Sequence, residues 1–575
     1  MPRVGRTLPG DPGSKYNHIM RRLSILLSLT LCVELSARQP VHARHAMVGA
    51  QEELATDAGV RVLKAGGNAV DAAIAVGFAL AVTHSSAGNI GGGGFMLIRM
   101  ADGRTTFIDF RERAPEHASH DMYLDAKGNL TRDSVEGWRA SGVPGTVRGF
   151  GLAHEKYGHM KWSEIMGPAI ELASKGYTLT YDEAQSMQRS RNLAKFADSH
   201  RIFQRDGKFY EPGDTFAQPE LARTLERIAK NGPDEFYTGE TAKKLAEAEA
   251  KNGGLITLDD LKNMTAVERK PLTSKYKGYD IITSPPPSSG GVGILQMMAM
   301  LEGSGYEKSG VDSAAEIHYV AETMRRFYAD RNEYMGDPDF IKNPISGLLD
   351  PAYIMKRRAT IEPDRATPSD QVNPGKPKGS ESTETTHFNV VDAEGNAVAV
   401  TYTLNGGYGS GVTAPGLGFL LNNEMDDFAS KPGTPNMFGL VQGEANAIAP
   451  DKRPLSSMVP TILAKDGKLF MVVGAPGGSH IITGVMQVIL NVVDFGMNPQ
   501  DAIDTPRFHH QWKPDRLELE RGISPDTAAL LKQMGYQIQQ DGRVSVARVE
   551  AIVSDGGWLL GGVDGRAAGG KAAGY

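Results

Sequence analysis

The sequence predicts an α+β protein, because it contains both buried-helix and hairpin patterns. Residues 70–80 are apolar on nearly every side of a predicted helix, which indicates a helix inside the core. Residues 388–391 and 397–403 are rich in β-branched and aromatic side chains, and turn-forming residues lie between them, which is typical of a β-hairpin. From about Ser141 to Pro351 the pattern is mostly helical. Helices and strands therefore both contribute to the predicted fold.

The chain starts with a predicted targeting segment, residues 1–43. Arg21 and Arg22 supply its positive charge, residues 23–33 form a short apolar core, and residues 41–43 are a small-residue cleavage site. Met20 is an alternative start. No later segment reaches the roughly 18 apolar residues that a transmembrane helix needs. We therefore expect an exported chain, periplasmic or secreted, without a membrane span.

Composition narrows the class of protein further. The 575 residues are enough to bury one large core or two ordinary ones. There are 62 Lys and Arg against 68 Asp and Glu, a net charge of −6 without a long run of like charge, so no nucleic-acid partner is indicated. The single cysteine, Cys32, lies in the targeting segment. The rest of the chain can form neither a disulfide nor a thiol nucleophile.

Several motifs allow more than one interpretation. The glycines at 91–94 enter a strand, which favours close backbone packing over a phosphate site. Arg111 follows an apolar run and is either part of a structural ion pair or a clamp on a substrate carboxylate. Residues 416–421 are predicted to form a strand. The adjacent His509 and His510 suit a structural role better than a metal pair, because neighbouring side chains of a strand point to opposite faces.

The hairpin follows a polar segment, residues 368–383, with the Pro, Gly and Ser content of an exposed linker. Glu384 and Thr385 lie where this segment meets the first strand. A Thr hydroxyl becomes a good nucleophile beside a base, and a freed α-amine with a pKa of roughly 7.7 to 8.0 is such a base. Chain cleavage before Thr385 would put nucleophile and base on one residue. The alternative is an ordinary linker between two domains.

Four later motifs are candidates for binding. The acidic residues at 422–428 suit a metal ion or a substrate ammonium, although their spacing is not that of an EF-hand. Residues 431–443 have the pattern of a long mobile loop, and such loops are often lids. Ser456 and Ser457 are turn residues that can also donate to a carboxylate. Residues 472–479 run from a strand into a helix start, where backbone N–H groups can hold a developing oxyanion.

Taken together, these motifs resemble those of the γ-glutamyltransferases, or γ-glutamyltranspeptidases. The resemblance covers essentially the whole mature chain, and its segments occur in the order GNAVDAA, GNIGGGGFML, DFRE, PPPSSGG, TTHFNVVDAEGNAVAVTYTLN, NNEMDDF, RPLSSM, GAPGGS and PRFHHQW. The resemblance implies the N-terminal nucleophile hydrolase fold, a four-layer αββα sandwich built from a precursor that cleaves itself.

By this resemblance, cleavage falls between Glu384 and Thr385. It gives a large subunit, residues 44–384 with a flexible tail at 368–384, and a small catalytic subunit, residues 385–575. The expected donors are glutathione and other γ-glutamyl compounds, and the acceptors are water, amino acids or dipeptides. Neither a metal nor an organic cofactor is expected.

The resemblance also implies roles for individual residues. Thr385 is the nucleophile, Thr403 orients it, and the amides of Gly477 and Gly478 form the oxyanion hole. The remaining roles concern the zwitterionic glutamyl head group, with its α-carboxylate held at one end of the site and its α-ammonium at the other. The carboxylate is assigned to Arg111, Ser456 and Ser457, and the ammonium to Asn405, Glu424 and Asp427.

Two departures and two alternatives accompany this resemblance. Many bacterial relatives have Tyr where this lid has Phe438, so we expect a more weakly latched lid. Residues 563–566, Val-Asp-Gly-Arg, replace the familiar Asp-Pro-Arg, which leaves the role of the C-terminus open. A cephalosporin (glutaryl) acylase-like amidase would keep the chemistry of Thr385 but usually lacks the lid. An exported amino-acid- or peptide-binding protein would use the same pocket without cleavage or catalysis.

Overall fold

Two antiparallel sheets form the centre of the protein. The computed structural model describes residues 38–375, 386–566 and 569–575, together with Pro2 and Gly5. Within these residues each of the two large sheets has seven strands. In spatial order, sheet I consists of Lys571–Gly574, Met47–Ala50, Thr386–Val391, Ala397–Thr403, Gly93–Arg99, Thr105–Asp109 and Val267–Arg269. Sheet II consists of Val41–Ala43, Trp558–Val563, Glu550–Asp555, Lys468–Gly474, Thr461–Lys465, Tyr279–Thr283 and Leu272–Tyr276.

Smaller sheets lie outside these two. A three-stranded sheet contains Phe508–His509, Leu517–Leu519 and Ile538–Gln539. Two short hairpin-like pairs join Tyr177–Thr178 with Thr215–Phe216, and Gln204–Arg205 with Lys208–Phe209.

Helices cover the outer face of each large sheet. The earlier helices, which come before the strand Leu272–Tyr276 in the chain, are Glu53–Lys64, Ala69–Thr83, Thr146–Tyr157, Trp162–Ile165, Gly167–Lys175, Tyr181–Arg189, Ala197–Phe203, Pro219–Asn231, Asp234–Thr238, Glu240–Asn252 and Leu258–Asn263. The later helices, which come after the strand Tyr279–Thr283, are Gly290–Leu301, Ala314–Tyr334, Ile345–Leu348, Pro351–Arg358, His480–Val493, Pro499–Asp504 and Pro525–Gln533. Short 3-10 helices occur at Trp138–Ala140, Tyr306–Ser309, Ser369–Gln371, Glu424–Asp427 and Glu444–Asn446.

Three apolar cores separate the layers. Side chains such as Phe95 and Val472 pack between the two sheets. The earlier helices pack on the other face of sheet I, where Val398 is buried, and the later helices pack on sheet II, where Val473 is buried. The order helix, sheet, sheet, helix matches the predicted αββα sandwich. Among the described residues, no helix combines the length and apolarity needed to span a bilayer.

The predicted hairpin is confirmed and lies in the middle of sheet I. Thr386–Val391 pairs with Ala397–Thr403, and each strand has a further partner, so both are central strands. The Asp392 carboxylate accepts the backbone N–H of Asn396 at 2.9 Å and closes the turn. The β-branched and aromatic runs and the turn chemistry between them were therefore sufficient to locate this element.

The strand predicted at residues 416–421 is wrong. Leu420 forms only an isolated bridge with Thr413. Gly416 and Gly418 have φ angles of +68° and +80°, which a continuous strand does not allow. At Gly418 an added Cβ would lie 2.4 Å from the backbone nitrogen of Leu221, so the segment is shaped by a close backbone approach.

The described structure includes the end of the predicted targeting segment and part of the tail of the predicted large subunit. Residues 41–43, in the targeting segment, pair with 559–561 at the edge of sheet II. Before the predicted cleavage site, the indole N–H of Trp512 donates to the carbonyls of Ser369 and Val372 at 2.9 and 3.0 Å. This part of the predicted flexible tail is hydrogen-bonded to the body of the protein, in contrast to the expected exposed linker. Residues 376–385 lie outside the described residues.

Candidate active site

The end of the hairpin presents Thr403 and Asn405. The hydroxyl of Thr403 accepts the backbone N–H of Asn405 at 2.7 Å, and Asn405 takes a left-handed φ of +73°. Its amide nitrogen donates to the carbonyl of Asn423 at 2.9 Å. The Asn405 Oδ1 atom is buried and accepts no hydrogen bond from a described residue. A buried acceptor of this kind suits a ligand that brings its own N–H donor.

Glu384 and Thr385 lie outside the described residues. The description resumes at Thr386, whose backbone pairs with Tyr402 in the hairpin. The assignments of Thr385 as nucleophile and of the 384–385 bond as the cleavage site therefore stay predictions.

Gly477 and Gly478 connect a strand of sheet II to the helix His480–Val493. Their φ angles are +136° and +67°, and an added Cβ on Gly477 would lie 2.7 Å from the Cα of Ala547. Neither backbone N–H donates to a described residue. The positive φ values thus produce a turn at a helix N-terminus in which two amides are available to an anion.

Arg111 lies in a buried cluster of charges. Its guanidinium contacts Glu424 at 2.5 Å, Asp427 at 2.5 Å and Glu112 at 3.6 Å, and all four side chains are fully buried. The guanidinium also donates to the carbonyl of Pro454 at 3.1 Å. The expected separation of a donor end from an acidic end is therefore not observed, because cation and carboxylates are in direct contact.

The charge balance of this cluster affects its protonation. Burial would lower the pKa of Arg111, but the carboxylates of Glu424, Asp427 and Glu112 raise it overall. Burial raises the pKa of Glu112 well above its ordinary value, and burial also raises the pKa of Glu424 although Arg111 opposes this. The cluster thus contains one cation and three carboxyl groups, and burial favours the neutral form of two of these, Glu112 and Glu424.

Ser456 and Ser457 lie beside this cluster and are also fully buried. The Ser456 hydroxyl accepts the backbone N–H of Met458 at 3.1 Å. Arg331, on the helix Ala314–Tyr334, approaches the Ser457 hydroxyl at 3.5 Å. The two serines are thus held in a loop next to Arg111, whose guanidinium bonds the neighbouring Leu455 carbonyl at 3.2 Å.

A cavity of about 980 Å³ is lined both by the end of the hairpin and by the glycine turn at residues 477 and 478. Its wall includes Thr403, Asn405, Phe438, Gly477 and Gly478. The buried cluster around Arg111 does not form part of this wall; it lies behind Asn405, which contacts the Asn423 carbonyl immediately before Glu424. Of the predicted site residues that the structure describes, Thr403, Asn405, Phe438, Gly477 and Gly478 line the cavity, whereas Arg111, Glu424, Asp427, Ser456 and Ser457 do not.

The predicted lid, residues 431–443, covers one side of this cavity. The backbone N–H of Met437 donates to Asp426 at 3.1 Å, and the Met437 sulfur lies 4.0 Å from the amide nitrogen of Asn405. The Gln511 side-chain amide points towards the carbonyls of Phe438 and Gly439 at 3.5 and 3.4 Å. The loop is therefore placed directly over Asn405.

Sequence reasoning missed three residues of the site. Glu112 belongs to the Arg111 cluster, and its position next to Arg111 was the only local signal. Arg331 and Gln511 lie in a helix and in the HHQW segment, respectively, and nothing in their local sequence indicates contact with Ser457 or the lid. Within the described residues no group of three or more His, Cys, Asp or Glu side chains is arranged to hold a metal ion.

The family model of gamma-glutamyltranspeptidase matches residues 55–574. The chain belongs to this family. Within it, a glutathione hydrolase proenzyme from Escherichia coli (strain K12) is 49% identical over 547 residues, which cover 94% of each chain. A glutathione hydrolase proenzyme from Pseudomonas sp. (strain A14) is 50% identical over 509 residues, which cover 88% of each chain.

This gamma-glutamyltranspeptidase chain also shares its fold with an acylase. The crystal structure of cephalosporin acylase from Bacillus halodurans superimposes with a TM-score of 0.85 at 28% identity, covering 94% of this chain and 98% of that chain. The fold alone therefore does not choose the acyl group that a gamma-glutamyltranspeptidase family member accepts.

Proposed function

We propose that the protein is an exported γ-glutamyltransferase and glutathione hydrolase that uses Thr385 as its N-terminal nucleophile. The supporting observation is the cavity in which Thr403 and Asn405 face the amides of Gly477 and Gly478. Its two sides supply groups that can orient a nucleophile and stabilise an oxyanion. The two bacterial relatives are named glutathione hydrolase proenzymes, which supports the same activity and a precursor cleaved into two subunits.

In this mechanism the precursor first cleaves its own Glu384–Thr385 bond, which frees the α-amine of Thr385. The amine takes the hydroxyl proton while Oγ1 attacks the γ-carbonyl carbon of the donor. Gly477 and Gly478 donate their N–H groups to the oxyanion. When the intermediate collapses, the proton passes to the leaving amine, and a γ-glutamyl ester of Thr385 remains. Water or the amine of an amino acid or dipeptide then attacks this ester and regenerates the hydroxyl.

The buried charge cluster is proposed to hold the glutamyl head group. Asn405, Glu424 and Asp427 receive the α-ammonium, since Asn405 has a buried acceptor without a described donor and the cluster has more carboxylates than cations. Arg111, with Ser456 and Ser457, receives the α-carboxylate. These side chains are buried, so substrate entry requires the lid over Asn405 to open.

The test of the nucleophile is the variant Thr385→Ala. We expect an uncut precursor that releases nothing from a γ-glutamyl anilide, because nucleophile and base are lost together. Thr383→Ala is the matched control and should be cleaved and active. In the control, the N-terminal residue of the small fragment should be Thr385. Normal processing and turnover by Thr385→Ala would contradict the assignment of Thr385 as the nucleophile.

Because the fold is shared with a cephalosporin acylase, the activity must also be tested with a second acyl donor. A glutaryl anilide has the same chain length as its γ-glutamyl counterpart but lacks the α-ammonium. Because the proposed site has three acceptors for that ammonium, we expect a strong preference for the γ-glutamyl compound. Equal or faster turnover of the glutaryl anilide would assign the protein to the acylase activity instead.

Export is part of the proposal and rests on the targeting pattern of residues 1–43. We expect the mature large subunit to start after Ala43 in the periplasm or medium. Removal at that point would take away the edge strand Val41–Ala43 and leave Trp558–Val563 at the edge of sheet II. N-terminal sequencing of the exported protein tests this assignment.

A further inference from the structure

The large cavity extends beyond the residues proposed to bind the glutamyl group. Its volume of about 980 Å³ is at the upper end of the range for small-molecule sites, roughly 300 to 1,000 Å³. Asn405, Gly477, Gly478, Ala547 and Arg548 all line this cavity, and Ala547 lies directly against Gly477. There is therefore room for the peptide attached to the γ-glutamyl group.

Arg548 is fixed beside the predicted oxyanion hole through its backbone. Its N–H donates to the carbonyl of Pro476 at 3.1 Å, and Pro476 directly precedes Gly477. The preceding residue, Ala547, packs its Cα against Gly477. Neither contact involves the guanidinium. The backbone of Arg548 is therefore held in place while its side chain can contact a ligand.

The guanidinium of Arg548 is exposed and forms no direct ion pair with a carboxylate of the described residues, whereas two other arginines of the cavity wall are ion-paired. Glu550 interacts with Arg548 electrostatically, without a direct contact. Arg516 pairs with Glu518, and Arg566 pairs with Glu520 and with Asp564. Arg189 also lines the cavity, but it ends the helix Tyr181–Arg189 and is not bonded to the 476–478 turn.

A neighbouring histidine does not supply a competing positive charge. His84 lines the same cavity, and burial, with a contribution from Arg548, lowers its pKa to about 4. It is therefore neutral near pH 7. An unpaired cation remains next to the turn at which the scissile carbonyl is expected.

We propose that Arg548 binds the terminal carboxylate of the peptide on the far side of the scissile bond. In a glutathione-like donor this is the leaving peptide, and in transfer it is the dipeptide acceptor. An arginine suits this role because its planar fork can bind a carboxylate through two parallel hydrogen bonds. The inference rests on the proposed function and specifies its second subsite.

Arg548→Gln tests the inference through substrates that differ in this carboxylate. Glutathione has a carboxylate on its leaving group and a γ-glutamyl anilide has none. We expect the ratio of kcat/KM for glutathione to that for the anilide to fall by about three- to tenfold, mainly through KM, because an accessible charged hydrogen bond is lost.

The acceptor side gives an independent measurement. With the anilide as donor, the wild-type protein should transfer to glycylglycine more efficiently than to glycylglycine amide. Arg548→Gln should lose this preference. An unchanged preference in the variant would contradict the inference.

Arg516→Gln is the matched control, since it removes one positive charge from the same cavity but from an ion pair with Glu518. An equal fall in the glutathione-to-anilide ratio in this control would indicate general electrostatic attraction and overturn the specific site. An unchanged ratio in Arg548→Gln, with the anilide still hydrolysed, would also overturn it. Failure of the wild-type protein to hydrolyse either donor would instead contradict the proposed function.

Discussion

Gly477 shows how one residue can control the proposed chemistry. It has a φ of +136°, and a Cβ at this position would lie 2.7 Å from the Cα of Ala547. Gly477→Ala must therefore displace the turn that presents the two amides. We expect kcat for a γ-glutamyl anilide to fall on the order of 100-fold, as when an oxyanion donor is removed, with a smaller change in KM.

Gly467→Ala is the control for backbone strain alone. Gly467 also has a positive φ, +75°, but an added Cβ would meet nothing within 4 Å. We expect this variant to lose about 1 kcal/mol of stability or slightly more, and to keep its kcat. A folded Gly477→Ala protein with unchanged kcat would contradict the proposed role of Gly477 in the oxyanion hole.

Arg111 is the residue on which the buried charge cluster depends. Arg111→Met leaves Glu112, Glu424 and Asp427 without their cation, and breaking a buried pair in this way costs about 3 to 5 kcal/mol. Because burial already raises the pKa of Glu112 and of Glu424, these carboxyls can take up protons at lower pH. We expect the loss of unfolding free energy in urea to be greater at pH 8 than at pH 5.

Arg104→Met provides the comparison for Arg111. Arg104 pairs with Asp102, but the two side chains are 73% and 54% exposed. An exposed pair of this kind contributes less than about 1 kcal/mol. Similar losses in the two variants would mean that the Arg111 cluster has no special electrostatic role.

The sequence identified Arg111 but not its surroundings. An Arg after an apolar run and an acidic segment near residue 424 were both visible as candidates. Their contact joins positions 316 residues apart, Arg111 and Asp427, and no local pattern contains that information. Asn405 was assigned only through the family resemblance, and its buried free acceptor became visible only in the structure.

Among the elements, the lid has a connection that the sequence did not predict. The Gln511 amide nitrogen lies 3.5 and 3.4 Å from the Phe438 and Gly439 carbonyls, and its oxygen accepts the Ser479 hydroxyl at 2.7 Å. Gln511 therefore connects the predicted lid to Ser479, at the start of the helix that follows Gly477 and Gly478. We expect Gln511→Ala to increase amide hydrogen exchange in residues 431–443.

Two comparisons make the lid measurement specific. Gln539→Ala removes a glutamine that donates only to Asp541 among the described residues and should leave lid exchange unchanged. Phe438→Tyr restores the hydroxyl of many relatives and should slow exchange in the lid. Equal lid exchange in the wild-type protein and Phe438→Tyr would count against the weaker latch that the sequence predicts.

The helix Glu240–Asn252 contains a pH-dependent element far from the chemistry. Glu249 is fully buried, and burial raises its pKa to about 8 from an ordinary value of 4.5. The folded protein keeps this proton while the unfolded chain releases it, so the contribution of the neutral carboxyl is complete below about pH 4.5. It is lost as the pH rises through about 8.

Glu249→Gln should therefore reduce the fall in stability between pH 5 and pH 8. Glu247→Gln, an exposed glutamate of the same helix, should leave the pH profile unchanged. Urea unfolding midpoints at several pH values measure the pH dependence of stability in both variants. If stability falls with pH as steeply in Glu249→Gln as in the wild-type protein, other groups cause the fall.

Prediction of strands succeeded where β-branched and aromatic runs flank turn residues, and it failed where a close backbone contact shapes the segment. The hairpin around Asp392 has such runs on both sides of its turn residues. Residues 416–421 have a similar apolar content, but glycines with positive φ bend them around Leu221. The sequence left the role of the altered C-terminal motif, residues 563–566, open. In the structure Asp564 of this motif accepts the Val549 N–H at 2.8 Å and pairs with Arg507 at 2.5 Å.

At the scale of the whole molecule, each of the two large sheets contains strands from before and from after Thr385, and strands of the two kinds pair directly with each other. In sheet I, Met47–Ala50 lies between Lys571–Gly574 and Thr386–Val391, and Gly93–Arg99 pairs with Ala397–Thr403. The four-layer order followed from family resemblance and not from local patterns, because periodicity indicates a strand but not its distant neighbour.

This pairing between strands of the two predicted subunits predicts how the cleaved protein behaves. Cutting the 384–385 bond breaks no strand pairing of either sheet, and the two fragments share the core around Phe95 and Val472. We expect two bands on a denaturing gel but a single peak in size-exclusion chromatography, at the elution volume of the uncut Thr385→Ala precursor. Residues 386–575 expressed alone should not fold, because Thr386–Val391 would lose Met47–Ala50 and Ala397–Thr403 would lose Gly93–Arg99. Separation of the native fragments without denaturant would show that the shared sheets do not hold the subunits together.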